Sequence, residues 1–136
     1  MIAYQTKANK LPGSNYAEIK KRAMFVFNQI KKKTKRQAYI RSAYFQKDKI
    51  FFNYFWDHLF QKPHKDRVRR LQYFEAAIEL IIKSHNAPEI ESRDTNKRQI
   101  YYRFAGFTQN KELFCVQIKE DKRTGNKFFM SCFPGK

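Results

Sequence analysis

The chain has 136 residues, enough for one domain with a real core and too few for two independent ones. Its 29 Lys and Arg against 12 Asp and Glu give a formal charge of +17, and 14 Phe with 8 Tyr make the low mean hydropathy a property of the surface and not a sign of disorder. No apolar run is long enough to span a bilayer and the opening MIAYQTKANKLPGS has no apolar signal core, so a cytoplasmic address is expected.

The charge is uneven. Residues 1–70 hold 18 Lys and Arg against 4 Asp and Glu, whereas residues 71–136 hold 11 against 8. Such density makes polyanions the natural partners: nucleic acid first, an acidic protein second and an anionic membrane surface third. The domain divides into a basic, helical part over about 1–86 and a sheet over about 98–134.

In chain order, Ser14 or Asn15 is placed to cap a helix from Tyr16 to about Lys33, with Ala23, Val26, Phe27 and Ile30 on one stripe. The run KKKTKR over 31–36 suits the end of that helix, where the carbonyl dipole favours cations. QAYIRSAYF and KIFFNYF are rich in aromatic and β-branched residues and predict two strands joined by the polar turn QKDK. A short helix from Tyr54 to about Gln61 should stop at Pro63, because a proline pushes the residue before it out of the α region. A further helix is expected from about Lys65 to Ser84, carried by Val68, Leu71, Phe74 or Glu75, Ile78, Ile81 and Ile82 at helical spacing. HNAPEIESRDTNK, residues 85–97, reads as a polar connector.

The last third predicts a β-meander of RQIYYRFAGF, ELFCVQIKE and KFFMSCF, with Gly125 supplying the left-handed residue of the final hairpin. Strict alternation would pack Ile100, Tyr102, Phe104, Phe114, Val116, Ile118, Phe128, Met130 and Cys132 on the helices. The open face would then carry Tyr101, Arg103, Cys115, Gln117, Lys119, Phe129, Ser131 and Phe133. The fold class is α+β: helices packed on one face of a C-terminal antiparallel sheet.

Two cysteines with no C-x-x-C make no zinc site, and they read as free thiols packed as small hydrophobes. Glu120 and Asp121 sit at a turn that explains them without a metal, and no Gly-rich phosphate loop or nucleophile elbow is present. No cofactor is therefore expected. Histidine is the usual acid or base near neutral pH, and Arg or Lys the usual stabiliser of phosphate charge. His58, Lys62, Arg103 and Ser131 are the candidate catalytic residues. His64, Arg67, Arg70, Tyr101, Lys119, Lys127 and Phe129 are the candidate nucleic-acid contacts. The bland alternatives stand beside them: a packed His58, a helix flank at Arg67 and Arg70, a small strand residue at Ser131.

Three stretches, IFFNYFWDHLFQK, YYRF and FCVQIKEDKRTGNKFFMSCF, resemble the barnase, EndoU, colicin-nuclease and RelE superfamily of small ribonucleases, particularly its phage- and mobile-element-associated branch. They cover about half of the chain. Where that branch carries a Gly-containing turn after its His-Leu pair, FQKPH follows here. The resemblance implies helices on one face of an antiparallel sheet with RNA on the other, a metal-independent endoribonuclease acting as a toxin or phage-borne effector, and an acidic antitoxin or immunity protein. A non-catalytic RNA- or DNA-binding module and a Mg²⁺-dependent DNase are the competing functional readings.

Overall fold

The computed structural model describes residues 3–94 and 98–135 and shows a mixed α+β architecture. Helix α1 (Tyr16–Lys33) begins where Asn15 accepts the Glu18 N–H at 3.0 Å, while the Glu18 carboxylate reaches back to the Ser14 N–H. This reciprocal capping satisfies donors that the first helical turn leaves free. Ile19 and Ala23 are fully buried, and Val26, Phe27 and Ile30 pack against the core from the same stripe. No helix among the described residues is long and apolar enough to cross a membrane.

The sheet is built on β5 (Gln99–Phe107), β6 (Leu113–Asp121) and β7 (Lys127–Pro134), an antiparallel meander. Gly125, at φ 77°, turns the chain between β6 and β7, and its N–H donates to the Asp121 carbonyl at 2.7 Å. Beyond the meander the sheet is mixed, not the wholly antiparallel C-terminal sheet expected, because strands from the first half of the chain join both of its sides. On one side β1 (Tyr4–Gln5) pairs with the end of β5 in parallel. On the other, β3 (Lys49–Phe51) runs parallel to the start of β7, and β2 (Tyr39–Arg41) forms the outer edge. Helices α2 (Phe55–Phe60), α3 (His64–Leu71) and α4 (Phe74–Lys83) bury Phe55, Leu59, Leu71, Phe74 and Leu80 against Phe114, Val116, Ile118, Phe129 and Cys132 of the sheet. At Gly106 a Cβ would come within 2.7 Å of the side-chain ends of Leu80 from α4 and Phe114 from β6, so glycine leaves both side chains room to pack there.

Four further sequence expectations need correction. The helix expected over 65–84 is two helices. At the break, Leu11 donates its N–H to the Gln72 carbonyl at 2.8 Å and the Tyr73 N–H turns back to Arg70. That external donor replaces a bond within the helix and ties the N-terminal segment down. The two strands expected over 37–45 and 49–55 shrink to three residues each, because residues 42–48 form a loop with Gln46 and Lys47 at positive φ. The loop carries Phe45 onto Tyr102 and Phe104, at ring centroid distances of 4.9 and 6.0 Å. The connector contains a strand, β4 (Ile90–Arg93), which covers the outer edge of β5 from Ile100 to Arg103; residues 95–97 lie outside the described residues. An uncovered edge there would leave a row of backbone groups unpaired.

The fourth correction bears on the site. The β6–β7 register runs Gln117 opposite Ser131, then Ile118 opposite Phe129, so Met130 is the extra residue of a bulge. Alternation reverses across it. Phe129 faces the helices, stacked on Phe55 at 4.6 Å and fully buried, and Phe128 takes the place on the open face expected for it. Lys127 also turns to the helix side, where its ammonium meets Asp48 at 2.8 Å and lies 4.9 Å from the Phe45 ring centroid. Phe129→Ala should therefore cost about 3–5 kcal/mol in urea unfolding, and Phe128→Ala less than about half of that. Equal losses would place both rings in the core and refute the bulge.

Candidate functional site

The sequence WDHLFQKPHKDRVRR folds as the junction of α2 and α3. Pro63 interrupts the helix, and α2 ends with carbonyls that need donors. Arg67 supplies them: its Nε–H donates to the Lys62 carbonyl at 3.0 Å and its terminal nitrogen to the Phe60 carbonyl at 2.6 Å. The arginine expected to meet phosphate is thus a helix cap. Its neighbour His64 is exposed and sits edge-on to the Tyr16 ring at 5.4 Å, on the α1 side of the junction.

Arg70 goes the other way. The thiol of Cys132 donates to its carbonyl at 3.2 Å and fixes the end of α3 against β7. The next residue of that strand, Phe133, faces the opposite side of the sheet beside Ala105 and Cys115. The Arg70 guanidinium reaches the Phe133 ring at 5.3 Å from its centroid, and the Arg103 guanidinium reaches the same ring at 5.5 Å. The quadrupole of the ring attracts both cations. Neither is ion-paired with a carboxylate among the described residues. Two arginines at one ring, without a counter-charge among the described residues, can receive an anion, and guanidinium geometry suits phosphate.

The strand register places Ile90, Arg103, Gln117 and Ser131 in one row across β4 to β7, and Ser92, Tyr101, Lys119 and Phe128 in the next. Lys119 lies 4.2 Å from the Tyr54 ring centroid and 5.8 Å from that of Phe128, and the two rings are 4.9 Å apart, edge to face. Tyr54, 42% exposed, is thus an aromatic surface next to a cation. Sequence reading missed Tyr54 and Phe128. Tyr54 carried no signal beyond its aromatic run, and Phe128 was hidden by the bulge. Tyr101 donates its hydroxyl to Gln99 at 2.6 Å, and Ser131 is 5% exposed.

His58 is half-buried on α2. Burial, then the charges of Lys62 and Arg70, hold its pKa below the usual 6.5. The imidazole is therefore neutral at pH 7 and able to accept a proton. Arg70 joins the two halves of the site, acting on His58 through its charge and on Phe133 through its plane. His58, Lys62, Arg70, Arg103, Tyr101, Lys119 and Ser131 belong to this α2–α3 end and open face; His64, Arg67, Lys127 and Phe129 do not.

Both thiols are free, and burial pushes their pKa values up. Among the described residues no group of three or more His, Cys, Asp or Glu side chains is placed to hold a metal ion. Compared with protein-family models, with curated proteins and with solved structures, the chain matches none.

An NMR titration of the His58 ring should give a midpoint below 6.5 in the native protein, moving upward in Lys62→Ala and again in Arg70→Ala. The sign for stability follows. The unfolded chain takes up the proton at about 6.5 and the folded chain only at lower pH, so His58 removes stability as pH falls from 6.5 to its folded midpoint. His58→Gln should remove that part of the pH dependence of unfolding.

Proposed function

We propose that the protein is a metal-independent endoribonuclease with a site of the barnase and RelE kind. One observation carries the reading: Arg70 and Arg103 both approach Phe133 without an acidic partner among the described residues, and the charge of Arg70 helps to hold the His58 pKa down. RNA brings its own nucleophile. His58 accepts the proton of a 2′-hydroxyl, the 2′-oxygen bonds to the adjacent phosphorus, and the bond from phosphorus to the 5′-oxygen breaks. The leaving oxygen takes a proton from the Lys62 ammonium, and the products are a 2′,3′-cyclic phosphate and a 5′-hydroxyl. Arg103 and Arg70 hold the phosphoryl oxygens as charge builds on them, while Ser131, buried in the row of Arg103, acts as a small strand residue and not as a phosphate donor. Tyr54, Phe128 and Tyr101 offer ring faces and edges to neighbouring bases, with Lys119 on the backbone between them.

RNA is the partner class that this arrangement fits, since DNA lacks the attacking hydroxyl. The resemblance to toxin and phage-borne ribonucleases and the charge of +17 support an acidic antitoxin or immunity protein that covers the arginine face. A non-catalytic RNA-binding module is the second reading, favoured by the Tyr54, Lys119 and Phe128 cluster, which needs no chemistry to hold a strand.

Purified protein incubated with labelled RNA and with plasmid DNA in excess chelator separates the two. Cleavage of RNA alone, leaving 2′,3′-cyclic phosphate ends, is expected. Arg103→Ala should lose about 10²–10³-fold in cleavage rate while RNA affinity falls by less than about tenfold. Intact RNA, with gel retardation graded across Arg70→Ala, Arg103→Ala and Lys119→Ala, would establish the binding module instead. RNA cleavage that stops in chelator would overturn the metal-independent mechanism.

A further inference from the structure

On the helix-covered side of the sheet, α1, α4 and β2 border a groove of about 580 Å³. Its walls are apolar: Val26 and Ile30 come from α1, Ile40 from β2 and Ile78 from α4. Phe25 and Ile82 complete the lining and are 67% and 40% exposed, the first being the most exposed large apolar side chain among the described residues. Around this apolar surface stand Lys33, Arg41 and Lys47 against one carboxylate, Glu75. β2 is the last strand of the sheet on that side, so no further strand lies over the groove.

We propose that this groove docks a segment of a partner protein that presents large apolar side chains flanked by Asp and Glu. Charge complementarity selects that occupant. The apolar walls require an apolar insert, and the basic border requires acid beside it. A second copy of this chain would bring its own charge of +17 to the contact. Phe25 and Tyr39 bring aromatic rings to the rim, but Ile40 and Ile78, the buried part of the lining, are aliphatic and take an inserted apolar side chain rather than a stacked base, and a concave groove between two helices and a strand takes inserted side chains better than a flat bilayer surface. None of the lining residues belongs to the arginine face, so a segment docked here leaves Arg70 and Arg103 uncovered. The inference stands whether or not that face cleaves RNA.

The test titrates a short synthetic helical peptide, Leu and Phe on one face and Glu on the other, into isotope-labelled full-length protein. Backbone and methyl shifts are expected at Val26, Ile30, Ile40 and Ile78 and not at Arg70 or Arg103. The double variant Phe25→Ser, Ile82→Ser should bind at least about tenfold more weakly with its circular dichroism spectrum unchanged, since both side chains are exposed. The same peptide with Lys in place of Glu should also bind at least about tenfold more weakly. Absence of binding, shifts outside the groove, or equal affinity of the double variant would overturn the proposal. So would tighter, Phe25-dependent binding to phosphatidylglycerol vesicles, which would assign the groove to a membrane surface. Phe25-dependent dimerisation in sedimentation would assign it to a second copy.

Discussion

Met130, the one extra residue of β7, decides what each side of the sheet presents. Before it, Lys127 and Phe129 face the helices and Phe128 faces outward; after it, Cys132 faces the helices and Ser131 and Phe133 face outward. A regular strand would give either a buried Phe129 or a buried Cys132 opposite the same helical layer, but not both. The bulge permits both. Phe129 then completes the aromatic cluster with Phe52, Phe55 and Phe74, while Cys132 anchors α3. The open side gains Phe133 as the common surface for two arginines that come from a helix and from a strand two positions away in the sheet. Core and site are thus two readings of one strand.

The electrostatics follow a similar division of labour. Many of the few acids are occupied within the fold. Glu79 accepts the N–H groups of Lys7 and Ala8, Glu18 closes the cap of α1, Glu120 accepts the Tyr102 hydroxyl, and Asp48 pairs with the buried Lys127. Burial and Glu120 push the Tyr102 phenol well above its ordinary pKa, which keeps that hydroxyl a donor. These carboxylates keep their charge, but residues 1–70 hold only 4 Asp and Glu against 18 Lys and Arg, so the field of the first half of the chain stays positive. The balance also limits repulsion where it would do most harm, because the buried ammonium of Lys127 has its own counter-ion.

What the sequence revealed and what it hid divides along the range of the interactions. The cap at Asn15, the stripe of α1, the stop at Pro63 and the meander with its Gly125 turn are local, set by residues within a few positions of one another, and all stand where the pattern puts them. The break at Gln72 depends on a donor from Leu11, the strand at Ile90–Arg93 on an edge of β5, and the cap role of Arg67 on carbonyls across a proline turn. None of these partners is near in the helical or strand pattern that predicts the element. The site was legible in kind, as basic and aromatic residues at the α2–α3 junction and on β5. Its membership was not, because a single inserted residue exchanges one ring for another and turns a lysine inward.

The Cys132 thiol that holds α3 to β7 has a chemical consequence of its own. It is fully buried, burial drives its pKa upward, and its hydrogen goes to the Arg70 carbonyl. Oxidants and alkylating agents react with the exposed thiolate, and this sulfur is neither exposed nor ionised. Cys115, the other cysteine, is also buried and has a raised pKa. The seat of Arg70 beside Phe133 therefore uses a sulfur whose burial and raised pKa withhold it from the usual thiolate chemistry.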